Sequence, residues 1–362
     1  MQSFRVELGA NAHEVHVGAG LLDDLGALTT RAGLRPGRAA LVTDSNVAKL
    51  YAPRAIASLE RAGFALEVIE IGAGEASKSL ATLALLYDRM TSAEIDRSGA
   101  VFALGGGVVG DLAGFAAASY LRGIAVVQVP TTIVAQVDSS LGGKTGVNHP
   151  RAKNLIGAFH QPRAIVADVA TLATLPEREY REGFAEVIKY GAIMDAAMVS
   201  DLERDLDRIA AREPAILEAV IARSLRHKAA IVAKDEREGG PRKILNFGHT
   251  LGHALEASAG YGRYLHGEAV AIGMVAALTL SEQHGGLSAD EASRLVRLIA
   301  RTGLPTAMPS KARHDAAFLS AIRMDKKRAD GGIEFVLLDR MGHAFTRKLG
   351  IEEILAVLAK TS

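Results

Sequence analysis

Residues 100–119 read AVFALGGGVVGDLAGFAAAS, and the fold turns on how they are read. An apolar run at 100–104 meets Gly105, Gly106 and Gly107, and a helical apolar pattern continues through position 118. Glycines at 105, 107 and 110 satisfy GxGxxG with a strand before and a helix after. In that context backbone amides and a helix N-terminus can approach a pyrophosphate closely. Such turns are common in parallel sheets, so this one does not name a ligand by itself. The following strand-like run, 125–129, ends in Pro130, Thr131 and Thr132, where a dinucleotide fingerprint would place an acidic residue. Asp44, closing the run LVTDSN, is a substitute for the ribose hydroxyls if its strand neighbours the glycine turn. The alternative for Asp44 is an ordinary helix cap.

Outward from this stretch, positions 1 to about 175 alternate short apolar runs with helical patterns, as a parallel sheet with covering helices requires. Strands are predicted at 4–8, 14–17, 39–43, 66–71, 100–104, 125–129 and 164–168, the first two as a hairpin across 9–12. Helices are predicted at 47–61 and 79–92. From about Pro176 the period changes to 3.6, with helices at 182–194, 214–234, 287–301 and 351–358 and one small hairpin at 333–338 and 343–347. At 362 residues the chain exceeds one ordinary core. The expectation is a Rossmann-like α/β domain with a mostly parallel sheet at 1–177 and an all-α domain at 178–362. A cleft between domains is the default place for chemistry.

Composition narrows the function. With 42 basic and 41 acidic residues the formal charge is only +1, which argues against nucleic acid as a partner and makes basic clusters local devices for small anions. No cysteine is present, so disulfides, thiolate zinc sites and cysteine nucleophiles are excluded. The opening MQSFRVELGA lacks the pattern of a secretory signal, and the longest uncharged apolar run, 269–280, is too short to span a bilayer. A soluble cytoplasmic protein with no membrane partner is expected.

The chemistry gathers in residues 246–268, NFGHTLGHALEASAGYGRYLHGE. His249 and His253 stand four apart in a helical pattern, so both imidazoles project from one face, and His266 follows where a second helix begins. A catalytic divalent metal wants about three protein ligands and an open position, so a carboxylate is needed from elsewhere. The zincin pattern's intervening Glu is absent, and two solvated histidines followed by a capping one is the plain alternative. Arg242, Lys243, Asn246 and Glu268 crowd polar groups around these apolar helices, which is costly without partners or a ligand. In GFAEVIKYG, Glu186 and Lys189 lie three apart among Phe184, Ala185, Val187 and Ile188. At least one of the two is therefore expected to be poorly solvated, and Glu186 is the best candidate for the metal carboxylate.

Other polar groups point to a small anionic substrate. Residues 136–154, QVDSSLGGKTGVNHPRAKN, read as a long polar loop offering Asp138, Lys144, Lys153 and Asn154. Lys144 follows Gly142 and Gly143, but the GxxxxGK spacing of a P-loop fails because position 138 is Asp. The loop GAGEASKS at 72–79 offers Glu75 and Lys78, with a solvated turn as the alternative. Lys228, Arg242, Lys326 and Lys327 add cations. Each alone is an ordinary surface charge; beside a metal they describe a pocket for phosphate and carboxylate.

Seven ordered strings, GGGVVGDLAGF, VPTTIVAQVDSSLGGKTGVN, KNLIGAFHQP, GFAEVIKYG, DEREGG, LNFGHTLGHALE and LHGEAVAIGM, give the chain its resemblance. It resembles the 3-dehydroquinate synthase family, sugar-phosphate cyclases of the shikimate pathway related to metal-dependent glycerol dehydrogenases. The resemblance implies a zinc or cobalt ion on Glu186, His249 and His266, and assigns His253 to the substrate phosphate, a choice that spacing alone does not make. It implies NAD contacts at Asp44, Glu75, Lys78, Gly107, Val108, Val109, Gly110, Asp111, Thr131, Thr132, Lys144, Lys153, Thr171, Leu172, Ala173 and Thr174. Substrate contacts would fall on Asp138, Asn154, Lys189, Lys228, Arg242 and Asn246, with Arg122 supplied across a homodimer interface. It does not choose between Lys326 and Lys327.

The implied reaction converts 3-deoxy-D-arabino-heptulosonate 7-phosphate to 3-dehydroquinate and phosphate. It runs by transient oxidation with NAD, phosphate elimination, reduction and intramolecular aldol closure. The alternatives are another sugar-phosphate cyclase, a metal-dependent polyol or glycerol dehydrogenase, and a non-catalytic NAD-binding sensor.

Overall fold

The computed structural model describes residues 1–260, 263–312, 315–328 and 332–358, with the side chains of 323–328 outside that description. Nine strands come first: β1 (Gln2–Val6), β2 (His13–Gly18), β3 (Arg38–Asp44), β4 (Ala65–Ile71), β5 (Ala100–Gly105), β6 (Ala125–Pro130), β7 (Lys144–His149), β8 (Ala152–Phe159) and β9 (Ala164–Asp168). Seven of them form one sheet in the order β1-β2-β9-β6-β5-β3-β4. Only the β1–β2 pair is antiparallel; β2–β9, β9–β6, β6–β5, β5–β3 and β3–β4 are parallel. All seven coincide with runs read as strands from the sequence.

β5 is buried along its whole length, which is why its sequence is apolar without alternation. Successive side chains still take opposite faces. Leu41, Phe102, Leu104, Val127 and Val166 pack with Leu28, Tyr51 and Leu59 of the helices Leu25–Arg31 and Ser45–Arg61. Val42, Val101, Ala103 and Val126 pack on the other side with Leu83, Leu86, Leu112 and Ala116 of the helices Leu80–Ser92 and Gly107–Ser119. The chain adds β4 on one side of β3 and then places β5 on the other. The carboxyl ends of β3 and β5 therefore flank the point where the winding reverses, the usual ligand position in open α/β sheets.

Residues 136–154 are not one loop, as the sequence analysis expects. A π-helical turn, Ala135–Ser139, leads into an antiparallel hairpin of β7 and β8. In that hairpin Gly146 stands opposite Gly157. A Cβ on Gly157 would lie 2.1 Å from the Thr145 carbonyl oxygen, and one on Gly146 2.5 Å from that of Ile156. The close approach needs glycine on both strands, and those glycines with the polar neighbours erase the apolar alternation by which a hairpin is normally recognised.

The chain forms two compact units, Met1–Leu175 with Ala211–Arg237, and Pro176–Ala210 with Glu238–Ser362. The helix Pro214–Val232 thus belongs with the sheet. It is tied there by the N-terminal ammonium against Glu218 at 3.1 Å and by the Arg226 guanidinium 4.9 Å from the Phe4 ring centre.

The second unit is helical, with the hairpin β10 (Ile333–Arg340) and β11 (His343–Leu349) where the sequence analysis reads one. The helix expected at 182–194 is found as Phe184–Met194, and a short helix, Glu177–Glu182, precedes it across Gly183. The helix His266–His284 is buried on nearly every side, as an all-round apolar helix must be. It packs against the helix His249–Ala259 so closely that a Cβ on Gly273 would lie 2.0 Å from the Gly248 carbonyl oxygen. Among the described residues no helix is long and apolar enough to cross a membrane.

Candidate metal centre and nucleotide-binding turn

In the second unit the helix Phe184–Met194 carries Glu186 and Lys189, the helix His249–Ala259 carries His249 and His253, and His266 opens the next helix. Glu186 is completely buried. Its Oε1 lies 3.3 Å from His249 Nε2 and 3.4 Å from His266 Nε2, while its Oε2 is in ion-pair contact with the buried Lys189 ammonium. Neither carboxylate oxygen finds a well-directed hydrogen bond among the described residues.

The other ring nitrogens explain this arrangement. His249 Nδ1 is 3.1 Å from the Phe247 carbonyl oxygen, which can only accept, so Nδ1 carries the hydrogen. His266 Nδ1 is 3.3 Å from a Glu256 carboxylate oxygen. With both Nδ1 positions engaged as donors, two Nε2 lone pairs and a carboxylate oxygen converge on one point. Three such lone pairs repel unless a cation lies among them, and this donor set suits a divalent metal with a position left open. Burial disfavours the His266 imidazolium, but the Glu186 and Glu256 carboxylates beside it outweigh this and push the pKa up to about 10. Burial likewise works against the Glu186 carboxylate, yet Lys189 and His249 overcome it and hold the group well below the usual carboxylate range.

His253 is exposed, with its ring centre 5.3 Å from that of His249 and 5.9 Å from that of His266. Glu186, His249 and His266 form one group with metal-binding spacing, and His253, Glu256 and His266 form a second. Arg242 is buried in a 3-10 turn, Pro241–Asn246, and Asn246 Nδ2 donates to Glu238 Oε1 at 2.9 Å. Glu268, grouped with these by sequence, caps Leu265 N at 2.9 Å and pairs with Arg178 at 2.7 Å, and Lys243 pairs with Glu334 at 2.8 Å. The side chains of Lys326 and Lys327, and the loop residues Tyr261 and Gly262, lie outside the described residues.

The first unit holds a different kind of site. Gly106 precedes the helix Gly107–Ser119, which presents Val108, Val109, Gly110 and Asp111 in its first turn and a half. Asp44 ends β3 beside β5, and its Oδ1 accepts from Asn46 N at 2.9 Å and Val47 N at 3.2 Å. The cap is therefore made at the winding reversal itself. Lys78 is buried, and its ammonium donates to Asp111 Oδ2 and to Asn154 Oδ1. Asn148 Nδ2 donates to Glu75 Oε1 at 2.6 Å and Asn148 N to the Lys78 carbonyl oxygen at 2.9 Å, so the 72–79 loop and the hairpin are joined three times. Lys144 and Lys153 lie on β7 and β8. Lys228 donates to the Asp138 backbone oxygen at 2.6 Å and pairs with its Oδ1 at 2.9 Å. Thr131 is buried with its hydroxyl unpaired among the described residues, and Thr132 Oγ1 accepts from Ala135 N at 3.2 Å. Thr171, Leu172, Ala173 and Thr174 form the 3-10 turn Val169–Thr174, whose Thr171 carbonyl oxygen accepts from the Tyr51 hydroxyl at 2.9 Å. Arg122 is exposed with φ +68°.

Two supporting residues escape the sequence analysis. Gln136, fully buried, donates through Nε2 to Pro130 O, Asp168 O and Thr171 Oγ1 at 3.0–3.2 Å, joining the segments that carry Thr131 and Thr171. Nothing local marks it, because its partners are remote in sequence. Glu256 is different: it stands seven residues after His249 and three after His253, so the helical spacing already puts it on their face.

A glycine turn at the winding reversal of a parallel sheet, and a separate helical unit in which a carboxylate and two imidazoles await a cation, define a two-part α/β enzyme with a metal-ready centre. Residues 68–182 match the family model described as 3-dehydroquinate synthase N-terminal, and residues 183–328 that described as 3-dehydroquinate synthase C-terminal. A 3-dehydroquinate synthase of Citrifermentans bemidjiense is 49% identical over 341 residues, covering 94% of this chain and 93% of its relative. Among solved structures, the 2-epi-5-epi-valiolone synthase ValA of Streptomyces hygroscopicus subsp. jinggangensis, with NAD+ and Zn2+ bound, is 29% identical with a TM-score of 0.88 over 98% of this chain and 97% of its own. A 2-deoxy-scyllo-inosose synthase complexed with carbaglucose-6-phosphate, NAD+ and Co2+ is 26% identical with a TM-score of 0.90 over the whole of both chains. The chain belongs to the 3-dehydroquinate synthase family.

Proposed function

We propose that the chain converts 3-deoxy-D-arabino-heptulosonate 7-phosphate to 3-dehydroquinate and phosphate, using NAD catalytically and a divalent zinc or cobalt ion. The observation that carries the reading is the convergence of Glu186 Oε1, His249 Nε2 and His266 Nε2 within 3.4 Å contacts on a fully buried carboxylate. NAD and the ion, when bound, supply reversible hydride removal and polarisation of the substrate's hydroxyl oxygens. The chain's own residues do the rest. Lys189 keeps Glu186 anionic and so able to hold a cation. The buried guanidinium of Arg242 presents the rigid fork that suits a carboxylate, which favours a heptulosonate over the carboxylate-free substrates of sibling cyclases. Asp138, Asn154, Lys228, Asn246 and His253 are assigned to the remaining hydroxyls and the phosphate.

NAD is assigned to Asp44, the glycine turn at 107–111, Glu75, Lys78, Thr131, Thr132, Lys144, Lys153 and the turn 171–174. The reversal of sheet winding between β3 and β5 supports that assignment. A homodimer in which Arg122 reaches the neighbouring copy's substrate phosphate is part of the reading. Exposed Leu121 beside it, at 40%, is a side chain that an interface would cover. The test is incubation with the heptulosonate phosphate and trace NAD, following phosphate and the cyclic product together. Equal release of both without accumulating NADH is expected. Steady NADH formation from glycerol with no phosphate release would establish the dehydrogenase reading instead.

A further inference from the structure

We propose that Glu256 is a positioning residue for the metal centre: its carboxylate accepts the Nδ1 hydrogen of His266 and so keeps that ring's Nε2 lone pair aimed at the ion. The proposal rests on the reading of Glu186, His249 and His266 as the ligands. The two histidines are served differently. His249 Nδ1 is engaged by a backbone carbonyl, that of Phe247 at 3.1 Å, which no substitution removes. His266 Nδ1 meets a side chain, Glu256 Oε2 at 3.3 Å, on a buried face of the helix His249–Ala259.

The backbone on either side of His266 is fixed by other groups. Leu265 N donates to Glu268 Oε2 at 2.9 Å and Gly267 N to Glu182 Oε2 at 2.6 Å. What remains free at His266 is the orientation and tautomer of its ring, and that is the freedom Glu256 removes. An outer partner of this kind typically changes metal affinity 10–100-fold without supplying a ligand.

His253, Glu256 and His266 also have the spacing of a metal group. A second ion there would need the lone pair of His266 Nδ1 while the first takes that of Nε2, so the ring would have to surrender its last N–H proton. A carboxylate that accepts this proton makes no such demand and leaves one ion per chain.

Glu256→Met keeps the length and helical preference of the side chain and removes the acceptor; Glu256→Gln restores an acceptor oxygen. Cobalt binding is measured by chelator competition and by visible absorption of the bound ion, alongside NAD affinity. Expected for Glu256→Met are cobalt affinity weakened roughly 10–100-fold and an altered cobalt spectrum, with NAD affinity unchanged. Glu256→Gln should recover most of the affinity and the parental spectrum. Unchanged affinity and spectrum in Glu256→Met would overturn the proposal. So would a matching loss of NAD affinity, which marks a general structural role, or two cobalt ions per native chain falling to one. Glu186→Ala separates the two levels: if it retains cobalt, the ligand reading fails, whereas its loss of cobalt beside an unaffected Glu256→Met removes only the proposal.

Discussion

The polar groups of the two units are finished to different degrees. In the sheet unit the side chains assigned to ligands hold one another: Lys78 with Asp111 and Asn154, Asn148 with Glu75, Lys228 with Asp138. In the helical unit the deepest carboxylate, Glu186, faces two imidazoles and one ammonium with no well-directed hydrogen bond among the described residues. A satisfied network stabilises the fold before any ligand arrives, whereas an unsatisfied one stores its cost until a cation relieves it. Substitutions in the first unit should therefore register mainly in stability, and those in the second mainly in metal binding.

The largest effect should test the second half of that contrast. Glu186→Ala removes one of the three proposed ligands, so metal content after gel filtration should fall to background and turnover with it; full retention of metal would end the ligand assignment. Lys78→Met tests the first half. It strands Asp111, and breaking a buried pair on one side costs about 3 kcal/mol in a denaturant melt near neutral pH. The sign of its pH dependence follows from Asp111. Burial pushes that carboxyl up, with Lys78 pulling the other way. A raised folded pKa contributes stability below the unfolded value and loses it as pH rises through the folded one. Removing Lys78 raises the carboxyl further, so the deficit should widen as pH rises above the ordinary carboxylate range. A pH-independent deficit would show that the pair is not what the variant breaks.

A smaller loss is expected from Gly157→Ala, because the added Cβ would lie 2.1 Å from the Thr145 carbonyl oxygen. The hairpin must shift, at about 2 kcal/mol, as for other overpacked sites. Faster hydrogen exchange confined to 144–159 with weakened NAD binding is the expected signature, since Lys144, Lys153 and Asn154 ride on these strands. Parental exchange there would mean that the hairpin does not set the nucleotide residues.

How much of this could be read beforehand depends on whether the signal is local. Inner strands such as β5 and β9 are legible because burial on both faces demands uninterrupted apolar runs, and Glu186 is legible because an acid among Phe184, Ala185, Val187 and Ile188 needs a reason. The β7–β8 hairpin is not, since facing glycines and polar strand positions carry no period. Nor does spacing separate His249 from His253, which are equivalent on their helix. Their difference arises from Glu186 on another helix, whose Oε1 lies 3.3 Å from His249 Nε2. Gln136 joins segments that only the finished fold brings together.

The smallest effect bears on the one residue that belongs to both sides of the comparison. Asp44 caps the helix Ser45–Arg61 through Asn46 N and Val47 N, and it stands at the winding reversal where ribose hydroxyls are expected. Asp44→Ala should cost about 1 kcal/mol from the lost cap whatever else the residue does. Asp44→Asn separates the roles, because Asn caps about as well as Asp but carries no charge to accept two ribose hydroxyls. If Asp44 only closes the helix, Asp44→Asn will match the parent in both thermal midpoint and NAD affinity. If it also binds the nucleotide, the midpoint will hold while NAD binding weakens. The second outcome is expected, and it would make Asp44 a group in the sheet unit that is already paired and still waits for a ligand.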